Sequence, residues 1–247
     1  MNKIKIAISI DNNVLQMIDS KTDGSTLQSR SQAIEYFLKK GLKEDDIDTA
    51  VLLLRTSHQE IALKTVKGKS LIQNQIEFFK KFQIKKIYLV TGQASKQLRE
   101  ELFESDVEIV EKEVKGNAAA LLSLKDKIKT NFIVMSGDTY NNFDLTKMIN
   151  KHLSLNKLAT MGLMTREHPS NYGTAILDGD YIIDFKEKTK AISSHIVNAG
   201  IYIFKPEIFE IIEGRTLETD TFPKLAKIHE LLGFFTYGEY EHFSISK

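Results

Sequence analysis

Side chains able to carry chemistry are unevenly distributed along this 247-residue chain. It contains no cysteine, which removes disulfides, thiolate zinc sites and thiol nucleophiles together. Its six histidines are scattered, with no His-x-x-x-His pair or similar ligand spacing, so no histidine-built metal centre and no cofactor are expected. Cations collect at the start. Residues 1–43 hold six lysines and Arg30 against Asp11, Asp19, Asp23 and Glu35, a balance of +3 in a chain whose total is +1, which leaves −2 for the rest. Any polyanionic partner would meet that basic head. Within it, Lys5, Ala7 and Ser9 alternate with Ile4, Ile6, Ile8 and Ile10. A period of two puts the isoleucines on one face of a strand and the other three residues on the opposite face.

The elements around those residues follow from caps and periodicity. Asp11-Asn12-Asn13 is a helix start leading into Val14, Leu15, Met17 and Ile18. Gly24 marks a turn, and Ser29-Arg30-Ser31 opens a second helix with Ala33, Ile34, Phe37, Leu38 and Leu42 at helical spacing. A strand and two helices in about 40 residues leave both strand edges unpaired and too little core to fold alone. A dimer with its two strands paired would solve both problems. The pattern resembles the ribbon-helix-helix family over residues 3–43. That resemblance implies a homodimer on double-stranded DNA, with Lys5, Ala7 and Ser9 reading base edges and Ser29, Arg30 and Ser31 clamping phosphate.

Residues 44–49 form a charged linker, and from 50 to 247 the pattern changes. Apolar strands at 50–54, 86–90, 108–111 and 132–135 alternate with amphipathic helices at about 70–82, 94–104, 117–129 and 145–155, which predicts an α/β fold with a mostly parallel sheet. Further strands are expected near 158–165, 173–177, 181–185 and 197–204. No apolar run approaches the ~18 residues of a membrane span, and the N-terminus lacks a signal-peptide core. A cytoplasmic protein is expected.

Six segments of this body, in order, resemble the sugar-phosphate nucleotidyltransferases: GKSLIQNQIEFFKKFQIKKIYLVTG, KGNAAALLSLKDKI, FIVMSGDTYNNFDL, NYGTAIL, IIDFKEKTK and VNAGIYIFKPEIFEII. The resemblance implies a Rossmann-like fold with a mixed sheet, a nucleotide near Asn117, a Mg²⁺ ligand at Asp138, and a sugar phosphate held by Tyr172, Gly173, Glu187, Lys188 and Asn198. A glutamate accepting from hydroxyls and a lysine meeting a phosphate suit such a ligand. The chain also departs from the family. Strand 51–54 runs into Arg55-Thr56-Ser57-His58-Gln59-Glu60-Ile61-Ala62, with no glycine between Ala50 and Gly68 to wrap a triphosphate. Ile61 falls where the family has lysine, and His242 where it has its second metal carboxylate. On this basis the expectation is a DNA-binding transcriptional regulator with a catalytically inactive domain that senses a nucleotide, sugar phosphate or nucleotide sugar. Two readings compete with it: an active divergent nucleotidyltransferase with an appended dimerisation or DNA-binding module, and a large domain that serves only as an oligomerisation scaffold.

Overall fold

A computed structural model describes residues 6–22, 27–41, 47–188 and 194–244. The chain divides into two compact units, Met1–Asp46 and Ile47–Lys247.

In the first unit, α1 (Asn12–Ser20) starts where the Asp11 carboxylate accepts from the backbone N–H groups of Asn13 and Val14. Helix α2 (Arg30–Gly41) follows. Ile18 and Ala33 are buried. Residues 6–10, expected as a strand, form no regular structure, and Ile6 and Ile8 are exposed. The physical reason is the one that makes a lone strand untenable: among the described residues no other strand pairs with it to satisfy its edges. The remainder of the expected strand, with Lys5, lies outside the described residues.

The second unit opens with β1 (Thr49–Leu53), a continuous apolar run of the kind that suits a parallel strand covered on both faces. A 3-10 turn at Thr56–His58 and α3 (Gln59–Leu63) follow, then the small hairpin β2 (Thr65–Val66) and β3 (Lys69–Ser70). Helix α4 (Leu71–Lys81) starts on Ser70, whose hydroxyl accepts from the Gln73 N–H, and buries Leu71, Ile72, Gln75, Ile76, Phe78 and Phe79. The chain continues through β4 (Lys86–Thr91), α5 (Lys96–Glu101), β5 (Val107–Glu111), α6 (Asn117–Leu122), β6 (Phe132–Ser136), β7 (Thr139–Asn142) and α7 (Leu145–Leu155). Strands β8 (Ala159–Thr165), β9 (Gly173–Asp178), β10 (Tyr181–Glu187) and β11 (Ile196–Phe204) come next. A π-helical turn at Leu217–Thr221, α8 (Phe222–Lys227), β12 (Leu231–Phe235) and β13 (Glu239–His242) complete the order.

Nine strands form one sheet in the order β5-β4-β1-β6-β11-β8-β12-β10-β9. The β5-β4-β1-β6 half is parallel, and β8 runs parallel to β12. Strands β11, β10 and β9 enter antiparallel, so the sheet is mixed rather than mostly parallel. The two large apolar clusters draw alternate residues from the strands: Val51 and Val134 belong to one, Leu52 and Ile133 to the other. A separate pair joins β13 to β7.

Candidate active site

Three parallel strands end around one cleft of about 320 Å³, with Leu53 from β1, Val90 and Thr91 from β4, and Ser136 from β6 in its wall. Open α/β sheets bind ligands outside the carboxyl ends of their strands. Arg55, Thr56 and His58 reach the cleft from the segment after β1, and Gly116 and Asn117 from the start of α6. Asp138, from the β6–β7 turn, and Glu218, from the π-helical turn, complete the chemistry-bearing wall. Gly116 has a φ of +100°, and a Cβ there would stand 1.9 Å from the Arg215 carbonyl oxygen, so the backbone passes where no side chain fits.

Asp138 is held from several sides. The Gly137 N–H donates to the Leu53 carbonyl at 2.9 Å, tying the turn to β1. The Asp138 carbonyl accepts from Phe243 N–H at 2.9 Å. Gln75, buried on α4, donates through Nε2 to the carbonyls of Ser136 (2.9 Å) and Thr139 (2.6 Å), which flank Asp138. Two imidazoles face the carboxylate: His58 Nδ1 lies 3.2 Å and His242 Nε2 3.8 Å from Oδ2. The position aligned with a metal carboxylate is thus next to Asp138 in space, but it carries an imidazole. Ile61, aligned with the family's lysine, is instead buried with Val66, Leu71 and Phe243.

Asn117 is a bridge. Its Nδ2 donates to both Glu218 oxygens at 2.9 Å, and its Oδ1 accepts from the Leu217 N–H at 2.9 Å. Of the residues expected to hold a sugar phosphate, Tyr172, Gly173, Glu187 and Lys188 are brought together by pairing of β9 with β10, which sets Gly173 opposite Glu187, whereas Asn198 stands on β11. A Cβ on Gly173 would stand 2.7 Å from Glu187 Oε2. The Lys188 N–H donates to the Tyr172 carbonyl at 3.2 Å. Lys188 itself takes a φ of +43°, a conformation that costs a residue with a Cβ about 1–2 kcal/mol and persists only where its surroundings enforce it. Burial raises the Glu187 carboxyl above the ordinary carboxylate range. Glu218 adds to that effect, while Lys188 and Arg55 oppose it. The Asn198 amide is engaged internally: Nδ2 donates to the Tyr202 hydroxyl at 2.7 Å and Oδ1 accepts from the Gly200 N–H at 2.8 Å.

The head residues are placed differently. Ala7 and Ser9 are exposed on an irregular segment. The Ser29 hydroxyl accepts from the Gln32 N–H, and Ser31 is exposed on α2. Arg30 closes a bidentate pair with Asp19, both contacts at 2.7 Å, so its guanidinium fork is already occupied. His58 and Glu218 were missed as site residues. The glycine-free Arg55–His58 segment after the first strand offered a signal for the first; the second had none locally.

A family model described as "Nucleotidyl transferase" matches residues 55–236. The mannose-1-phosphate guanylyltransferase catalytic subunit beta of Drosophila pseudoobscura pseudoobscura is 30% identical over 177 residues, covering 66% of this chain and 48% of that protein. Mannose-1-phosphate guanylyltransferase 1 of Arabidopsis thaliana is 29% identical over 174 residues, covering 64% of this chain and 48% of that protein. The chain spans between about a third and a half of the length of the curated relatives it matches. Among solved structures, HddC from Yersinia pseudotuberculosis superposes with a TM-score of 0.67 at 20% identity, over 79% of this chain and 93% of that one, which establishes a common fold. The mixed-sheet, Rossmann-like fold is that of the transferases.

These comparisons overturn the expectation of a DNA-binding regulator with an inactive, ligand-sensing domain, because the relatives are named as transferases. The expectation of inactivity rested on the missing glycine loop together with Ile61 and His242 at the positions of the lysine and the second metal carboxylate. The short segment that replaces the loop still lines the cleft through Arg55, Thr56 and His58.

Proposed function

The chain belongs to the nucleotidyl transferase family, and we propose that it is a divergent sugar-phosphate nucleotidyltransferase. The observation that carries this reading is the cleft at the carboxyl ends of β1, β4 and β6, lined by Arg55, Asn117 and Glu218, with Asp138 anchored in its wall by backbone and Gln75 contacts. A nucleoside triphosphate would enter along Thr56, Gly92 and Gly116. A sugar 1-phosphate would lie against Tyr172, Gly173, Glu187, Lys188 and Asn198. An oxygen of the sugar phosphate attacks the α-phosphorus, a new P–O bond forms, and pyrophosphate leaves with the electrons of the broken bond. Arg55 opposes the charge that develops during transfer, and Lys188 holds the incoming phosphate. Glu187 accepts from sugar hydroxyls.

The family's metal fits in part. Asp138 presents one carboxylate, and among the described residues no group of three His, Cys, Asp or Glu is arranged to hold an ion unaided. A magnesium ion commonly takes one or two carboxylates and completes its shell with substrate phosphates and water. When bound, it would supply charge neutralisation at the transferring phosphoryl group.

Pyrophosphate release from GTP and mannose 1-phosphate with Mg²⁺ is the first assay, followed by other nucleotides and sugar 1-phosphates. Release is expected from the native chain and should be lost in Asp138→Asn. Equal, background release from both across the whole panel would refute the activity.

A second reading concerns the first unit. Ile6 is 72% exposed, Ile8 53%, Met17 68% and Leu38 53%. That is much apolar surface for 46 residues, and we propose that a second copy of this chain covers it, with the alternating isoleucine segments pairing as a two-stranded ribbon.

A further inference from the structure

A second cavity, of about 430 Å³, opens at the carboxyl ends of the parallel strands β8 and β12, and its lining shares no residue with the Asp138 cleft. Its size is that of a small-molecule pocket. Met164 and Arg166 come from the end of β8 and the segment after it. Phe235 and Tyr237 come from the end of β12 and beyond, and Tyr240 from β13. The Arg166 backbone is fixed on both sides of the residue, since its N–H donates to the His195 carbonyl and its own carbonyl faces His195 Nδ1, each at 3.0 Å. The Arg166 guanidinium carbon lies 5.1 Å from the Tyr240 ring centre and 6.0 Å from that of Tyr172. Stacked contacts of this kind hold the plane of a guanidinium while leaving its N–H edge available. Among the described residues no carboxylate pairs with Arg166, and none of the residues lining the cavity is acidic. Tyr237 is 86% exposed, with its ring centre 6.1 Å from that of Phe235.

A half-buried, pre-oriented cation without a carboxylate partner among the described residues, in a cavity that also holds the exposed ring of Tyr237, defines a ligand of two parts. We propose that this cavity binds a phosphorylated compound carrying a flat ring, of mononucleotide type: Arg166 takes the phosphate through its bidentate fork, and the ring lies against Tyr237. Arginine matches phosphate geometry with two parallel charge-assisted hydrogen bonds, and the aromatic wall favours a ring over a bare anion. The cavity adjoins the sugar side of the transfer site through Tyr172, which flanks Arg166, but its lining shares no residue with the Asp138 cleft and the proposal does not rest on the activity assigned there.

Methionine-methyl NMR on the full chain tests this locally, because Met164 lines the cavity and the chain has only six methionines. Met164→Leu identifies the signal. Titration with GMP should move the Met164 methyl to saturation, with guanosine and ribose 5-phosphate each binding more weakly than GMP. Arg166→Gln should weaken the titration by roughly tenfold or more, the loss expected for charge-assisted hydrogen bonds, and Arg166→Lys should fall between. Asp138→Asn, expected to abolish transfer, should leave the Met164 titration unchanged. A Met164 methyl that does not respond to GMP overturns the proposal. So does an equal response in folded Arg166→Gln and Arg166→Lys, or loss of the response in Asp138→Asn. None of these outcomes bears on pyrophosphate release, so the two assignments fail separately.

Discussion

Burial and the neighbouring Glu218 carboxylate raise the Glu187 carboxyl above its ordinary range, against the pull of Lys188 and Arg55. A carboxyl raised in the folded state is disfavoured when ionised, so at neutral pH the folded chain carries a cost that the unfolded chain does not. The cost lifts as pH falls through the raised value towards the ordinary one. Glu187→Gln should therefore melt at a higher temperature than the native chain at neutral pH. That advantage should fade by about pH 4, where the unfolded carboxyl also holds its proton. The same substitution should raise KM for the sugar phosphate, since a neutral amide accepts from hydroxyls less strongly than a carboxylate. Thermal melts at both pH values and steady-state kinetics measure the two halves; an unchanged melt at neutral pH would show that Glu187 is not strained. At this scale the placement of Asp138 at the cleft and the juxtaposition of Gly173 with Glu187 followed from short motifs, while their part in binding is a proposal. His58 and Glu218 were not, because their meaning lies in contacts across 80 and 101 residues, to Asp138 and Asn117.

Elements with strong periodicity were legible almost to the residue. The helices expected at about 70–82 and 145–155 are α4, Leu71–Lys81, and α7, Leu145–Leu155, and the strand expected at 132–135 is β6, Phe132–Ser136. Strand β7 was not foreseen. Thr139-Tyr140-Asn141-Asn142 has no apolar alternation and becomes a strand only through pairing with β13, far along the chain. The β6–β7 turn carries Asp138, and α4 governs it through a single side chain. Gln75 is a buried donor to the carbonyls of Ser136 and Thr139 on either side of Asp138, and Gln75→Leu would remove that shared donor at about 1–3 kcal/mol, with the Ser136 carbonyl keeping its hydrogen bond from the Thr139 hydroxyl. The turn should then drift. A displacement on the order of 1 Å at a reacting centre can cost about 10²-fold in rate. The expected result is a lowered denaturation midpoint together with a loss of turnover and a higher Mg²⁺ requirement at temperatures where the variant is fully folded. Native turnover and native Mg²⁺ dependence in the folded variant would confine Gln75 to a purely stabilising role.

At the scale of the whole molecule, the two units pose different problems of burial. Ile47–Lys247 carries the nine-stranded sheet and both large apolar clusters, and every strand of the transfer cleft lies within it. The first unit has two short helices, few buried apolar side chains, and Ile6, Ile8, Met17 and Leu38 turned outward. A unit of this size rarely supplies enough core unaided, and a symmetric partner presents the same apolar strip in return. Self-association should therefore reside in residues 1–46 and turnover in residues 47–247. Sedimentation of the full chain should give twice the 28.1 kDa chain mass at micromolar concentration. Ile6→Glu with Ile8→Glu places like charges in the contact and should return the mass to that of one chain, with pyrophosphate release unaltered. Removing residues 1–46 should do the same. A full chain that sediments as a single copy, or a double glutamate variant that remains paired, would place the apolar strip outside any self-contact. Loss of turnover in the glutamate variant with its fold intact would mean that pairing, and not the second unit alone, completes the active site.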